Sequence, residues 1–212
     1  MPTNLYGPGD NYHPTNSHVL PSLIRKFYNA KVNNKSNVTC WGSGSPKREL
    51  LHVDDLAEAA VHILEKISSN NNLLFEEESR FSGIINIGTG KDIPIKELAL
   101  KISDKVGFKG NIVWDKTKPD GTPRKLLDVS RINKLGWHAK IDLDDGIKKT
   151  ISNLETHISQ SKHLPGVPSR DELELWTSYD MANRDMLLLE KIEELTLYTI
   201  QLNKRIEELE LS

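Results

Sequence analysis

The chain has 212 residues, 37% of them hydrophobic and 27% charged, and its 28 Lys and Arg against 30 Asp and Glu leave a formal net charge of -2. That balance excludes an overall field for nucleic acid or an anionic membrane and leaves anion binding to local clusters. The single cysteine, Cys40, excludes an internal disulfide and a cysteine-based metal site, and no apolar run approaches the roughly 20 residues of a membrane span, so the chain reads as cytoplasmic.

The opening stretch "MPTNLYGPGDNYHPTNSHVLP" reads as the exit from a buried strand into a polar loop, punctuated by Gly and Pro, that covers a ligand. Ser17 is placed to cap a helix carrying Val19, Leu20, Leu23, Ile24 and Phe27 on one face. "NVTCW" and "RELLHV" predict strands around the turn "GSGSPK", and "DDLAEAAVHILEKI" an amphipathic helix. Its inward stripe is Leu56, Ala59, Ala60, Ile63, Leu64 and Ile67, and Asp55 with Glu58 has capping-box spacing.

After a polar insertion, "SSNNNLLFEEESRFSG", the run "IINIGTG" predicts a buried strand and turn. "IPIKELALKISDKVG" predicts a helix between Pro94 and Gly107, and "GNIVW" another strand. Two further helices are expected in "VSRINKLGW" and "DLDDGIKKTISNLETHI", the latter starting near Asp142 with Leu143, Ile147, Ile151, Leu154 and Ile158 inward. Pro165, Gly166 and Pro168 mark a linker over residues 159–180. Beyond it, Leu188, Ile192, Leu195, Thr199, Leu202, Ile206 and Leu209 alternate steps of four and three, which predicts a coiled-coil helix over 181–211 and a homo-oligomer.

In order and spacing, "PTNLYGP", "NSHVLPSLIRKF", "VTCWGSG", "RELLHVDDLAEA", "INIGTG" and "KPDGTPRKLLDVSRINKLGW" resemble the C-terminal part of the GDP-L-fucose synthases. These are extended short-chain dehydrogenase/reductases of the NAD-dependent epimerase/dehydratase family. The resemblance implies an α/β fold over residues 1–158: the substrate-binding region with remnant strands of a Rossmann sheet. It further implies that most of a Rossmann domain, present in the family before "PTNLYGP", is missing from these residues. The tail after about Ile158 departs from that pattern and resembles the oligomerising ends of tail-fibre and other proteins with intramolecular-chaperone domains.

The family epimerises C3 and C5 of GDP-4-keto-6-deoxy-D-mannose and reduces its C4 ketone with NADPH. Moving a proton next to a ketone needs a group that titrates near neutrality, and histidine does so. By motif match that residue is His18, which is also expected in the first turn of a helix, at its positive end. The resemblance further assigns GDP-sugar contacts to Lys26, Trp41, Arg48 and Asp120, and NADP(H) contacts to Pro2, Thr3, Asn4, Leu5 and His18. Helical periodicity keeps Arg25 as a rival to Lys26, because seven residues return Arg25 to the face of His18.

Neither a glycine-rich dinucleotide fingerprint nor a Tyr-x-x-x-Lys pair occurs in the 212 residues. "GTGKD" follows a strand-like run but lacks the third glycine, and a metal reading of His52, Asp54 and Asp55 yields to helix capping, which already explains Asp54 and Asp55. Two readings follow. One is a fragment of a GDP-L-fucose synthase, inactive alone and completed by an N-terminal Rossmann half. The other is a non-catalytic oligomeric binding or assembly module built on a relic sugar-nucleotide domain.

Overall fold

The wall of the molecule is a pair of parallel strands whose side chains alternate between two apolar cores. A computed structural model describes residues 1–13, 16–67 and 83–161, all within the compact unit Met1–Gly166. Strand β1 (Asn4–Tyr6) pairs in parallel with β3 (Lys47–His52), matching Asn4 to Leu50, Leu5 to Leu51 and Tyr6 to His52. Because successive strand residues face opposite sides, Tyr6 and Leu50 enter one core while Leu5 and Leu51 face the other.

The first core is roofed by α1 (Val19–Val32), α3 (Ile95–Val106) and α5 (Leu143–Ser161), whose Ile24, Phe27, Leu98, Ile102 and Ile147 have no or almost no exposure. Transfer of each such side chain from water is worth about 2 kcal/mol. Beside it, β2 (Asn37–Trp41) pairs in parallel with β5 (Asn111–Asp115) and turns Val38 and Cys40 inward. The second core gathers Leu51, Ile85, Ile87 and Trp137 beneath α2 (Val53–Lys66) and the five-residue α4 (Ser130–Lys134). Short strands β4 (Asp92–Pro94) and β6 (Arg124–Lys125) both pair with β3, the former antiparallel.

The α/β fold, α1, α3 and the inward face of α5 agree with the sequence expectation. Several local details differ. His18, not Ser17, holds the N-cap of α1, and its side chain makes no capping bond. The cap of α2 is His52, whose Nδ1 accepts from the Asp54 N–H at 3.2 Å. Asp55, expected in a capping box with Glu58, is instead buried and accepts from the backbone N–H groups of Lys140 and Ile141 at 3.0–3.2 Å. Glu58 pairs with the Lys140 ammonium.

Along α2, Ala60 and Leu64 face outward, Leu64 with 81% exposure, while Leu56, Ala59 and Ile63 alone of the stripe within the helix pack inward. "NVTCW" and "RELLHV" do not pair with each other. "IINIGTG" forms a single bridge, Ile87 to Pro2, in place of a strand. Helix α5 continues through Ser161, past the break expected at Ser159. Most of the polar insertion, the rest of the 159–180 linker and the 181–211 heptads lie outside the described residues.

One carboxylate joins these parts. Glu49 of β3 has no exposure, and its Oε1 and Oε2 accept from the Gly90 N–H at 2.7 Å and the Leu127 N–H at 2.9 Å. Gly88 is required beside it, since a Cβ there would lie 2.3 Å from Oε1. This is what the "GTG" turn does here: it wraps a side chain of its own protein. Glu49→Gln preserves shape but turns one acceptor into a donor facing a backbone N–H, so it should destabilise the fold by about 2 kcal/mol or more, read as a lowered urea midpoint at unchanged slope.

Candidate functional site

Two groups of side chains meet along β3. The first lines a cleft of about 440 Å³ where β1 ends and the loop to α1 begins, and its walls include Thr3, Asn4, Leu5, Asp10 and His18. The side chains of Thr3 and Asn4 are committed inward, donating to the Glu49 carbonyl at 3.3 and 2.9 Å. Their backbone and the exposed His18 ring are what the cleft offers a ligand.

Asp10 Oδ1 accepts from the Asn11 N–H at 2.7 Å, while Oδ2 is buried with no hydrogen-bond partner among the described residues. Burial pushes the Asp10 carboxyl up, and the Asn11 N–H and His18 pull it back. Arg25 Nη1 donates to the Tyr12 carbonyl at 2.8 Å and so braces this loop.

Under the cleft lies His52. Because its Nδ1 accepts the Asp54 N–H, the neutral ring carries its proton on Nε2, which is buried without a partner among the described residues and faces Gly7. Its ring meets Tyr6 edge-on at 5.3 Å. Burial lowers the His52 pKa, with Asp54, 3.6 Å from Nδ1, and Asp55 opposing and Lys149 reinforcing. His52, Asp54 and Asp55 are thus spent on the helix start and on Lys149, Lys140 and Ile141.

The second group forms around the loop between β5 and β6. Trp41, at the end of β2, is 68% exposed, and the Lys26 ammonium stands 5.4 Å from its ring centroid while donating to the Thr39 carbonyl at 3.3 Å. Lys118 approaches the same ring at 5.8 Å. Asp120 accepts from Ser43 twice, from its N–H at 2.8 Å and its hydroxyl at 2.6 Å, which holds the Asp120 carboxyl below the usual range. Gly42 makes this approach possible: its φ is +78°, and a Cβ would fall 2.2 Å from Asp120 Oδ1. Arg48 Nη1 donates to the carbonyls of Lys47 and Thr122, each at 2.7 Å.

The structure therefore brings Lys26, Trp41, Arg48 and Asp120 to one loop, and Thr3, Asn4, Leu5 and His18 to one cleft, with Glu49 between them on β3. Lys118 and Ser43 were not singled out from the sequence. Both stand within quoted motifs, "KPDGT" and "WGSG", but loops carry no periodicity that ranks one residue above the next. Among the described residues no group of three or more His, Cys, Asp or Glu is arranged to hold a metal, and no helix is long and apolar enough to cross a membrane.

Residues 1–88 match the NAD dependent epimerase/dehydratase family. The motif-based resemblance is borne out in the relatives. A putative GDP-L-fucose synthase 2 of Arabidopsis thaliana is 52% identical over 162 residues, covering 76% of this chain and 46% of the relative. A GDP-6-OMe-4-keto-L-xylo-heptose reductase from C. jejuni superposes with a TM-score of 0.66 at 34% identity, covering 74% of this chain and 53% of that one. A GDP-L-fucose synthetase from Naegleria fowleri, bound to NADP, gives 0.63 at 27%, covering 76% and 47%. The chain thus spans about half the length of the curated relatives it matches.

As for NADP(H), the cleft beside Thr3–Leu5 has Asp10 as its acidic lining residue and presents backbone and a histidine. Such a lining suits the uncharged or cationic ring end of a dinucleotide and repels its phosphates. The residues present fit the nicotinamide side of the cofactor alone.

The His52 geometry has a measurable consequence. Below its unfolded pKa of about 6.5 the unfolded chain takes up a proton that folded His52 resists, so stability falls as pH drops from there toward the lowered folded value. His52→Asn retains an N-cap without a titrating ring. The loss of stability between pH 7.5 and 5.5, followed by urea denaturation, should be smaller in this variant than in the parent.

Proposed function

We propose that residues 1–161 form the sugar-nucleotide part of an NADPH-dependent GDP-sugar epimerase/reductase of the GDP-L-fucose synthase kind. The observation that carries this reading is the convergence of Lys26, Trp41, Arg48 and Asp120 on the loop between β5 and β6. In it, the Trp41 indole carries the guanine base and the cations Lys26 and Arg48 face the diphosphate.

His18, exposed at the rim of the cleft, moves the proton at C3 and C5 beside the C4 ketone. The Thr3–Leu5 backbone borders the nicotinamide, and NADPH, when bound, supplies the hydride. The 212 residues contain neither a phosphate-cradling glycine fingerprint nor Tyr-x-x-x-Lys, so a Rossmann half carrying them is the partner this chemistry requires. A free, buried Cys40 accords with a reducing, cytoplasmic setting.

Calorimetry of the chain with GDP tests the binding. Affinity should be weak, should fall with salt, and should drop about tenfold in Arg48→Ala, the value of one charge-assisted phosphate contact. No heat at millimolar GDP from folded protein refutes the reading. An NADPH-oxidation assay with GDP-4-keto-6-deoxy-D-mannose should show no turnover by this chain alone. If a family-derived Rossmann half restores turnover, His18→Asn should abolish it.

GDP binding without any reconstitution would instead favour the non-catalytic module. For that reading the heptads supply the assembly: Ile192, Thr199 and Ile206 at a positions and Leu188, Leu195, Leu202 and Leu209 at d. Light scattering should show an oligomer for the full chain and a monomer for a chain ending at Gln160.

A further inference from the structure

Two ammonium groups share one exposed indole, and the loop that delivers the second of them is tied down by a carboxylate. Lys26, from α1, and Lys118, from the loop after β5, stand 5.4 and 5.8 Å from the Trp41 ring centroid. Among the described residues neither ammonium lies within ion-pairing distance of a carboxylate. The ring attracts each cation, but the two repel one another, and an anion placed between them relieves that repulsion.

Lys118 is not on a slack loop. Asp115 Oδ1 accepts from the Thr117 N–H at 3.0 Å and its hydroxyl at 2.6 Å, and the Lys118 N–H donates to the Asp115 carbonyl at 3.3 Å. Two residues further on, both oxygens of Asp120 are taken by Ser43, the second residue after Trp41. Asp120 thus clips the Lys118 loop to the turn that follows the indole. A carboxylate so engaged is also a repulsive neighbour for a phosphate.

Building on the GDP-sugar reading above, we propose that Lys118 contacts the diphosphate together with Lys26, the two ammonium groups leaving Trp41 for phosphate oxygens when the base arrives. Asp120 then acts as a positioning residue that holds Lys118 in place through Ser43.

The test is a calorimetric comparison of GDP with guanosine on the full chain. Lys118→Gln should weaken GDP binding about tenfold and leave guanosine unchanged, and Lys118→Arg should retain most of the GDP affinity. Asp120→Asn should also weaken GDP selectively, but should cost nothing further when added to Lys118→Gln, because its effect runs through that lysine. Circular dichroism confirms that each variant is folded. Parent-like GDP binding by Lys118→Gln overturns the assignment of Lys118. Losses that multiply in the double variant show that the effect of Asp120 does not run through Lys118 and overturn its positioning role. Failure of the folded parent to bind GDP removes the underlying site as well, an outcome distinct from either.

Discussion

A charge buried in the middle of β3 is the constraint on which the arrangement rests. Glu49 has no exposure, and an ionised carboxylate taken out of water is tolerable only if polar groups close around it. The groups that do so are backbone N–H donors from two otherwise separate segments, the turn at Gly90 and the chain at Leu127. The Glu49 carbonyl meanwhile receives the side chains of Thr3 and Asn4. A single residue therefore ties β1, the 88–90 turn and the approach to α4 to the strand that also carries Arg48. Both the cleft at His18 and the loop at Trp41 are attached to this crossing point through β3.

The loop between β5 and β6 is built on the same logic with exposed groups. Asp120 and Arg48, which by resemblance are substrate contacts, also hold the loop, Asp120 accepting from Ser43 and Arg48 donating through Nη1 to the Lys47 and Thr122 carbonyls. They shape the loop that brings Lys118 to the indole. Residues of one motif thus hold a loop as well as line it, and the specificity of a motif says nothing about how the two tasks are divided. Lys26 and Arg25 illustrate the point from the helix: one reaches Trp41, the other holds the Tyr12 carbonyl.

The similarity to GDP-L-fucose synthases extends over three quarters of the chain and about half of the relatives. Its physical content within these residues is asymmetric. The loop at Trp41 gathers two ammonium groups around an exposed aromatic ring, whereas the cleft at His18 offers backbone, a histidine and an aspartate.

By itself the sequence determined the α/β class, α1, α3 and α5 with their buried faces, and the ordered motifs that place the chain beside the GDP-L-fucose synthases. Periodicity and motif spacing are local, so they survive without any knowledge of neighbours. Tertiary structure alone decided the caps: His52 starts α2, and Asp55, inside its first turn, accepts from the Lys140 and Ile141 N–H groups far along the chain. It decided that Leu64 faces outward, because the second core packs on the face of α2 that carries Leu56, Ala59 and Ile63. It decided that "GTG" encloses Glu49 and that Lys118 meets Trp41, since both depend on contacts across many tens of residues. Such contacts are set by which segments the two cores bring together, and no window along the chain contains both partners.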